Sequence, residues 1–146
     1  MQNDNPKCKN ILGIDWGEKR IGLAMGDGEA RIASPYKTVS TLKEILNVIQ
    51  AEEIDEVVIG KPLKMINSEF RISNEFLVFI DELKKRINIP IFEIDERLTS
   101  MAADKLVGTK KTKAGRDEIA AMLILQQYLD KLNTKSTKIN EENEII

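Results

Sequence analysis

The 146-residue sequence contains no histidine, and this absence removes several kinds of chemistry at once. Ser-His-Asp triads, histidine general bases and histidine-rich zinc sites are all excluded. The single cysteine, Cys8, forms no intramolecular disulfide, which suits a reducing compartment. Any catalysis must therefore use carboxylates, lysine, tyrosine, serine, threonine or a bound metal ion.

Long apolar runs and an excess of basic residues are also missing. No run approaches the ~18 residues of a membrane span. The polar residues 1–9 lack the apolar segment of a secretory signal, so we expect a cytoplasmic protein with no membrane partner. The net charge is −2, from 22 basic and 24 acidic residues, which differs from the strongly basic balance usual in nucleic-acid-binding proteins.

One local stretch is nevertheless basic. Residues 107–116 (VGTKKTKAGR) carry Lys110, Lys111, Lys113 and Arg116 and contain no acid. Two interpretations stay open, a solvated loop and a segment that contacts phosphates. Taken alone, the run favours the solvated loop.

The apolar pattern predicts an α/β domain with a mixed sheet. Predicted strands cover residues 10–15, 20–26, 31–39 (interrupted by Pro35), 57–60 and 89–95. The first predicted helix opens at the capping box Thr41–Glu44. Three further predicted helices cover about residues 68–86, 99–107 and 117–132. A hairpin followed by alternating helices and strands favours this class. We expect one domain over residues 10–132, a flexible N-terminus over 1–9 and a disordered tail over 133–146.

Acidic residues recur where these elements end or begin. Asp15 ends the first strand, Asp95 and Glu96 end the last, and Asp117 opens the last helix. Ligands of open α/β sheets bind at strand ends. Carboxylates gathered there repel each other unless a cation lies among them, and Mg²⁺ prefers carboxylate and water oxygens. Taken singly, each acid is more often a cap, a turn residue or a surface charge.

Four segments, in their order and spacing, resemble the YqgF family. They are LGIDWGEKRIGLAMGD (12–27), VIGKPLKM (58–65), IDERLTS (94–100) and DEIAAMLILQQYL (117–129). That family is described as pre-16S ribosomal RNA nucleases, and earlier as Holliday junction resolvases. The resemblance spans most of the chain. The sequence departs from the family pattern at Lys64, Ile66 and Asn67 and in a less densely basic segment before Asp117.

The resemblance implies an RNase H-like fold, a mixed five-stranded sheet flanked by helices, and a metal-dependent nuclease. It also implies that Asp15, Glu96 and Asp117 are the catalytic, metal-binding acids, holding Mg²⁺ or Mn²⁺, with two ions expected. Asp95 and Glu96 are adjacent in a strand and point to opposite faces, so only one of them can face the metal. We assign that role to Glu96.

Several polar residues near these motifs then become candidate contacts to nucleic acid. They are Lys19, Arg20, Arg97, Thr99, Lys110, Lys111, Lys113 and Arg116. Each retains a structural alternative, such as a hairpin turn, a helix cap for Thr99 or an ion pair for Arg97. Trp16 is interpreted as support for the hairpin rather than as a base-stacking residue.

The resemblance predicts 5′-end processing of pre-16S ribosomal RNA, with RNA favoured over DNA and the assembling small ribosomal subunit as a further partner. We expect a monomer or weak dimer. Cleavage of four-way DNA junctions is the first alternative and requires a symmetric dimer. A non-catalytic RNA-binding processing factor is the second. An actin- or Hsp70-like ATP-binding module is the least favoured, because such ATPases need two domains of this kind and 146 residues supply one.

Overall fold

The computed structural model describes residues 9–95 and 115–145. These residues form a mixed sheet with helices packed on both of its faces. The five strands of the main sheet are β1 (Asn10–Asp15), β2 (Ile21–Asp27), β3 (Ile32–Val39), β4 (Glu56–Lys61) and β7 (Ile91–Asp95). Between β4 and β7 the chain forms a separate two-stranded hairpin of β5 (Leu63–Ile66) and β6 (Glu69–Ile72). Their order is β3-β2-β1-β4-β7. The first three strands are antiparallel, whereas β1, β4 and β7 are parallel. The predicted α/β class and mixed five-stranded sheet are confirmed.

Three described helices cover the two faces of this sheet, α1 (Leu42–Ala51), α2 (Asn74–Arg86) and α3 (Arg116–Ile145). Side chains alternate along β1, so that Leu12 and Ile14 pack in a cluster with α1 and α2. Ile11 packs in a second cluster with Leu125 of α3. The sheet is therefore the middle of three layers, and among the described helices α3 covers the face on which the candidate site lies.

The predicted capping box of α1 is present. Thr41 accepts a hydrogen bond from the Glu44 backbone, and the Glu44 carboxylate accepts one from the Thr41 backbone at 3.0 Å. Strand β3 is continuous rather than interrupted at Pro35, with a register shift against β2 between Leu23 and Ala24. Proline is tolerated there because β3 is an edge strand.

The predicted start of the second helix at Ser68 is wrong. Strands β5 and β6 pair as an antiparallel hairpin, and α2 begins only at Asn74, with Ser73 as its N-cap. The two turn residues, Asn67 and Ser68, have φ angles of 54° and 68°. A two-residue hairpin turn with both central φ angles positive matches the right-handed twist of its strands.

The predicted end of the last helix at Leu132 is also wrong, because α3 continues to Ile145. The backbone of the segment predicted as a disordered tail is thus helical. Residues 133–145 contain no glycine or proline that would end a helix. The predicted helix over 99–107 lies outside the described residues. Among the described helices, none is long and apolar enough to span a membrane.

Candidate active site

Two of the predicted metal-binding acids meet at one end of the sheet. Asp15, the last residue of β1, is the direct cross-strand partner of Gly22. A methyl group on Gly22 would overlap the Asp117 carbonyl, so the backbone of Asp117 lies directly against this glycine. Directly opposed residues of antiparallel strands share a face of the sheet. The structure therefore brings Asp15 and Asp117 together across Gly22.

The close approach of α3 to the sheet depends on strand glycines. A Cβ atom on Gly13 would lie 2.8 Å from Leu125 Cβ and 3.0 Å from the Ala121 carbonyl. A Cβ atom on Gly26 would lie 2.8 Å from Leu125 Cδ2. Because these positions lack side chains, the helix packs against the strand backbone, and its first turn reaches the end of β1.

The first turn of α3 is also held by hydrogen bonds of Glu118, the residue after Asp117. Glu118 accepts hydrogen bonds from the Gly115 backbone at 3.0 Å and from the Thr38 hydroxyl at 3.1 Å. The contact with Thr38 ties the helix N-terminus to β3, and the contact with Gly115 satisfies a backbone donor at the start of the helix. Since Glu118 is engaged in this anchoring, Asp117 is the acid of this turn that lines the site.

An ion pair joins Asp117 to the loop between β1 and β2. Arg20 Nε lies 3.0 Å from Asp117 Oδ2. The Arg20 side chain is 72% exposed, whereas that of Asp117 is 26% exposed. An exposed cation thus contacts a partly buried carboxylate.

An open cavity of about 560 Å³ surrounds this pair. It is lined by Trp16, Gly17, Glu18, Lys19, Arg20, Pro62 and Asp117. The predicted contacts Lys19 and Arg20 therefore lie beside a predicted metal-binding acid. Trp16 also packs on α2, with ring centroids 5.7 Å from Phe76 and 6.0 Å from Phe79, which agrees with its predicted supporting role.

The remaining predicted site residues are distributed as follows. Arg116 begins α3 next to Asp117. The predicted residues Glu96, Arg97, Thr99, Lys110, Lys111 and Lys113 lie outside the described residues. Sequence reasoning missed Pro62 and Gly22. Pro62 could have been predicted, because it directly follows β4 and therefore lies at the same edge of the sheet as Asp15. Nothing in the local sequence around Gly22 indicates that it lies at the site.

Carboxylates at this position suit a divalent metal ion. Asp15 and Asp117 supply the oxygen donors that Mg²⁺ and Mn²⁺ prefer. Asp117 already faces a cation, since the Arg20 guanidinium lies against it. Within residues 9–95 and 115–145, no group of three or more acidic, histidine or cysteine side chains is placed to hold a metal. Glu96, the third acid of the predicted set, lies outside those ranges.

Comparison with known proteins identifies the family. The model of a family described as "RuvX: Holliday junction resolvase" matches residues 9–131. A relative from Roseiflexus sp. (strain RS-1) named "Putative pre-16S rRNA nuclease" is 38% identical over 131 residues, 82% of this chain and 93% of the relative. A relative of the same name from Rickettsia africae (strain ESF-5) is 34% identical over 133 residues, 84% of this chain and 86% of the relative.

Solved structures agree on the fold. T. thermophilus RuvC, solved in complex with a Holliday junction substrate, matches with a TM-score of 0.53 and 14% identity, over 83% of this chain and 93% of that chain. The Fowlpox virus resolvase, solved with Holliday junction DNA, matches with a TM-score of 0.53 and 13% identity, over 84% and 98%. The fold is RNase H-like, as predicted. The chain belongs to the RuvX family, which confirms the resemblance to YqgF proteins drawn from its motifs.

Proposed function

We propose that this protein is a divalent-metal-dependent nuclease that hydrolyses phosphodiester bonds during 5′-end processing of pre-16S ribosomal RNA. The observation that carries the proposal is that Asp15 and Asp117 both lie beside Gly22, and that Asp117 lines a cavity together with Lys19 and Arg20. Carboxylates that hold metal ions beside cations that hold phosphate are the parts that phosphodiester hydrolysis needs.

Glu96 is the proposed third metal-binding acid, and the alternation along β7 supports this choice. Phe92 stacks on Tyr128 of α3 with ring centroids 5.3 Å apart. Glu93, the next residue, accepts a hydrogen bond from Lys84 of α2 at 3.4 Å. Continuing that alternation predicts that residue 96 shares the α3 face of the sheet with Phe92 and Asp15.

Each residue then has a defined task. Bound among these carboxylates, two Mg²⁺ or Mn²⁺ ions would lower the pKa of a water molecule and stabilise the leaving oxygen. Asp15 ends β1, which lies between β2, against which Asp117 packs, and the pair of β4 and β7 in the sheet; we propose that both ions share this ligand. Lys19 and Arg20 orient the phosphate. Arg97, Thr99, Lys110, Lys111, Lys113 and Arg116 are the proposed further contacts along the nucleic acid.

Ribosomal RNA is the preferred substrate because relatives that cover most of this chain are named as pre-16S rRNA nucleases. Four-way DNA junctions are the second candidate, favoured by the description of the matching family. A junction resolvase needs two symmetric sites, whereas an RNA processor can act as a monomer or weak dimer. The assembling small ribosomal subunit is the further proposed partner.

A cleavage assay with Mg²⁺ or Mn²⁺ tests both candidates. The substrates are a 5′-extended ribosomal RNA precursor, an unrelated single-stranded RNA and a four-way DNA junction. Asp15→Asn keeps side-chain size but removes a metal-binding charge, so we expect at least a ~100-fold loss of cleavage. Asp81→Asn, which alters an exposed acid on α2, is the matched control and should cleave normally.

The pattern of cleavage decides between the substrates. Metal-dependent cleavage of the ribosomal precursor, lost in Asp15→Asn, supports the processing role. Cleavage of the junction alone favours the resolvase. Normal cleavage by Asp15→Asn contradicts the metal assignment, and no cleavage of any substrate favours a non-catalytic processing factor.

A further inference from the structure

Arg20 has a place in the site that phosphate binding alone does not explain, because it contacts the acid that we assign to the metal. We propose that Arg20 is exchanged between two anions: it pairs with Asp117 until a metal ion takes that carboxylate, and it then binds the substrate phosphate. Metal binding and substrate binding would thereby be coupled. The inference rests on the proposed metal-dependent nuclease activity.

The geometry favours movement of Arg20 over movement of Asp117. Asp117 is held by the contact of its backbone with Gly22 and by the anchoring of the next residue, Glu118, to Thr38. Arg20 lies in the loop before β2, and its side chain is 72% exposed. Guanidinium displacement therefore needs a change in rotamer and no rearrangement of α3.

The energetics allow the exchange. An exposed ion pair shifts an equilibrium by no more than about fivefold, so a divalent ion can displace the arginine. Asp15 and Asp117 both lie beside Gly22, and Arg20 supplies only one positive charge against these two carboxylates. A divalent ion that contacts both acids neutralises more charge than the guanidinium does.

The displaced side chain remains in the cavity with a new role. Arg20 and Lys19 both line the same space as Asp117. A guanidinium carries a planar set of donors that matches two phosphate oxygens, which makes it the better of the two for orienting a phosphodiester. When metal occupies Asp117, Arg20 can bind the substrate phosphate, which carries the charge that its planar donors match, in preference to Glu18, the other acid that lines this cavity.

A metal titration tests the first step without any cleavage. Trp16 is the sole tryptophan and lines this cavity, so its fluorescence reports Mn²⁺ binding, with calorimetry as a second readout. Arg20→Gln removes the competitor of the metal, and we expect the Mn²⁺ Kd to fall about two- to fivefold. Lys19→Gln is the matched control, since it removes the same charge from the same loop but not the ion pair; its Mn²⁺ Kd should change by less.

A binding experiment tests the second step. The Kd for a short single-stranded RNA is measured with and without Ca²⁺, used in place of Mg²⁺. If cation binding releases Arg20 for the RNA, the cation raises the RNA affinity of the wild type, because coupling between two ligands is reciprocal. In Arg20→Gln this increase should be about two- to fivefold smaller.

The outcomes separate this inference from the proposed function. A tighter Mn²⁺ Kd in Arg20→Gln, together with a smaller cation-induced gain, supports the exchange. If Lys19→Gln binds Mn²⁺ as much more tightly as Arg20→Gln does, the gain comes from removing a nearby positive charge and not from the ion pair. If Arg20→Gln binds Mn²⁺ more weakly than the wild type, the arginine only positions Asp117. Either result overturns the exchange. Wild-type protein that binds no Mn²⁺ would overturn the proposed function and this inference together.

Discussion

At the residue scale, Gly22 determines where Asp117 sits. Its missing side chain leaves the space that the Asp117 backbone occupies. Gly22→Ala should displace the first turn of α3, lower Mn²⁺ affinity and cleavage at least ~10-fold, and cost about 1–3 kcal/mol of unfolding free energy through overpacking. Calorimetric metal titration and denaturant unfolding measure the two effects.

Gly28→Ala is the control for this prediction. A Cβ atom there would make ordinary contacts of 3.5 Å with Lys9, so metal affinity and stability should stay near those of the wild type. If Gly22→Ala binds metal as tightly as Gly28→Ala does, the site does not depend on the close approach of α3.

The individual site residues differ in how far the sequence predicts them. Asp15 and Asp117 stand out locally, as acids at a strand end and a helix start, whereas their metal-binding role and the roles of Lys19 and Arg20 come from the resemblance to the family. The contact between Gly22 and Asp117 joins residues far apart in the chain and depends on how closely a helix packs on a sheet. No local pattern predicts that contact, nor the ion pair of Arg20.

At the scale of elements, the end of α1 contains a strained residue. The backbone N–H groups of Glu53 and Ile54 donate to the carbonyls of Gln50 and Ile49 at 3.3 and 3.0 Å, which is a Schellman ending. Glu53 has a φ angle of 52°, a region that favours glycine. Glu53→Gly should therefore stabilise the protein by about 0.5–1 kcal/mol and raise Tm by about 2 °C.

Thermal unfolding followed by circular dichroism measures that gain. Glu53→Ala is the matched control, because it removes the same charge but keeps the Cβ atom that causes the strain. An equal rise in Tm for the alanine variant would assign the effect to charge rather than to the backbone.

The elements that sequence reasoning missed lacked strong signals. The hairpin of β5 and β6 turns at Asn67-Ser68, whereas the usual signal for such a turn is Asn-Gly or Asp-Gly. Its strands are only four residues long each, too short to display clear alternation. By contrast, α1 and β4 were predicted well, since a capping box and a compact apolar run marked them.

At the scale of the whole molecule, the order of the main-sheet strands and the described helices follows from apolar periodicity and turn residues, whereas the small hairpin of β5 and β6 does not. The order predicts a mixed sheet covered by helices, and the structure agrees. Oligomeric state and cytoplasmic location stay predictions, since both depend on surfaces and partners that periodicity does not describe.

A polar network away from the site connects three parts of the fold. Glu56 of β4 is only 6% exposed; it accepts hydrogen bonds from Lys9 at 2.6 Å and from the Tyr128 hydroxyl of α3 at 3.2 Å. Burial, reinforced by the Glu56 charge, raises the pKa of Tyr128 to about 12. The hydrogen bond to Glu56 raises the pKa of Lys9 as well. Both shifts stabilise the folded state while the groups keep their protons.

The network should make stability depend on alkaline pH. Because the folded pKa of Tyr128 lies above its unfolded value of 10.0, its contribution is complete below pH 10 and is lost as pH rises toward about 12. Tyr128→Phe removes the hydroxyl, and we expect a cost of about 1 kcal/mol at pH 8. That difference should shrink between pH 10 and 12 in urea unfolding series of both proteins. A difference that stays constant over this range would mean that the pKa of Tyr128 is the same in the folded and unfolded states, which would contradict the coupling to Glu56.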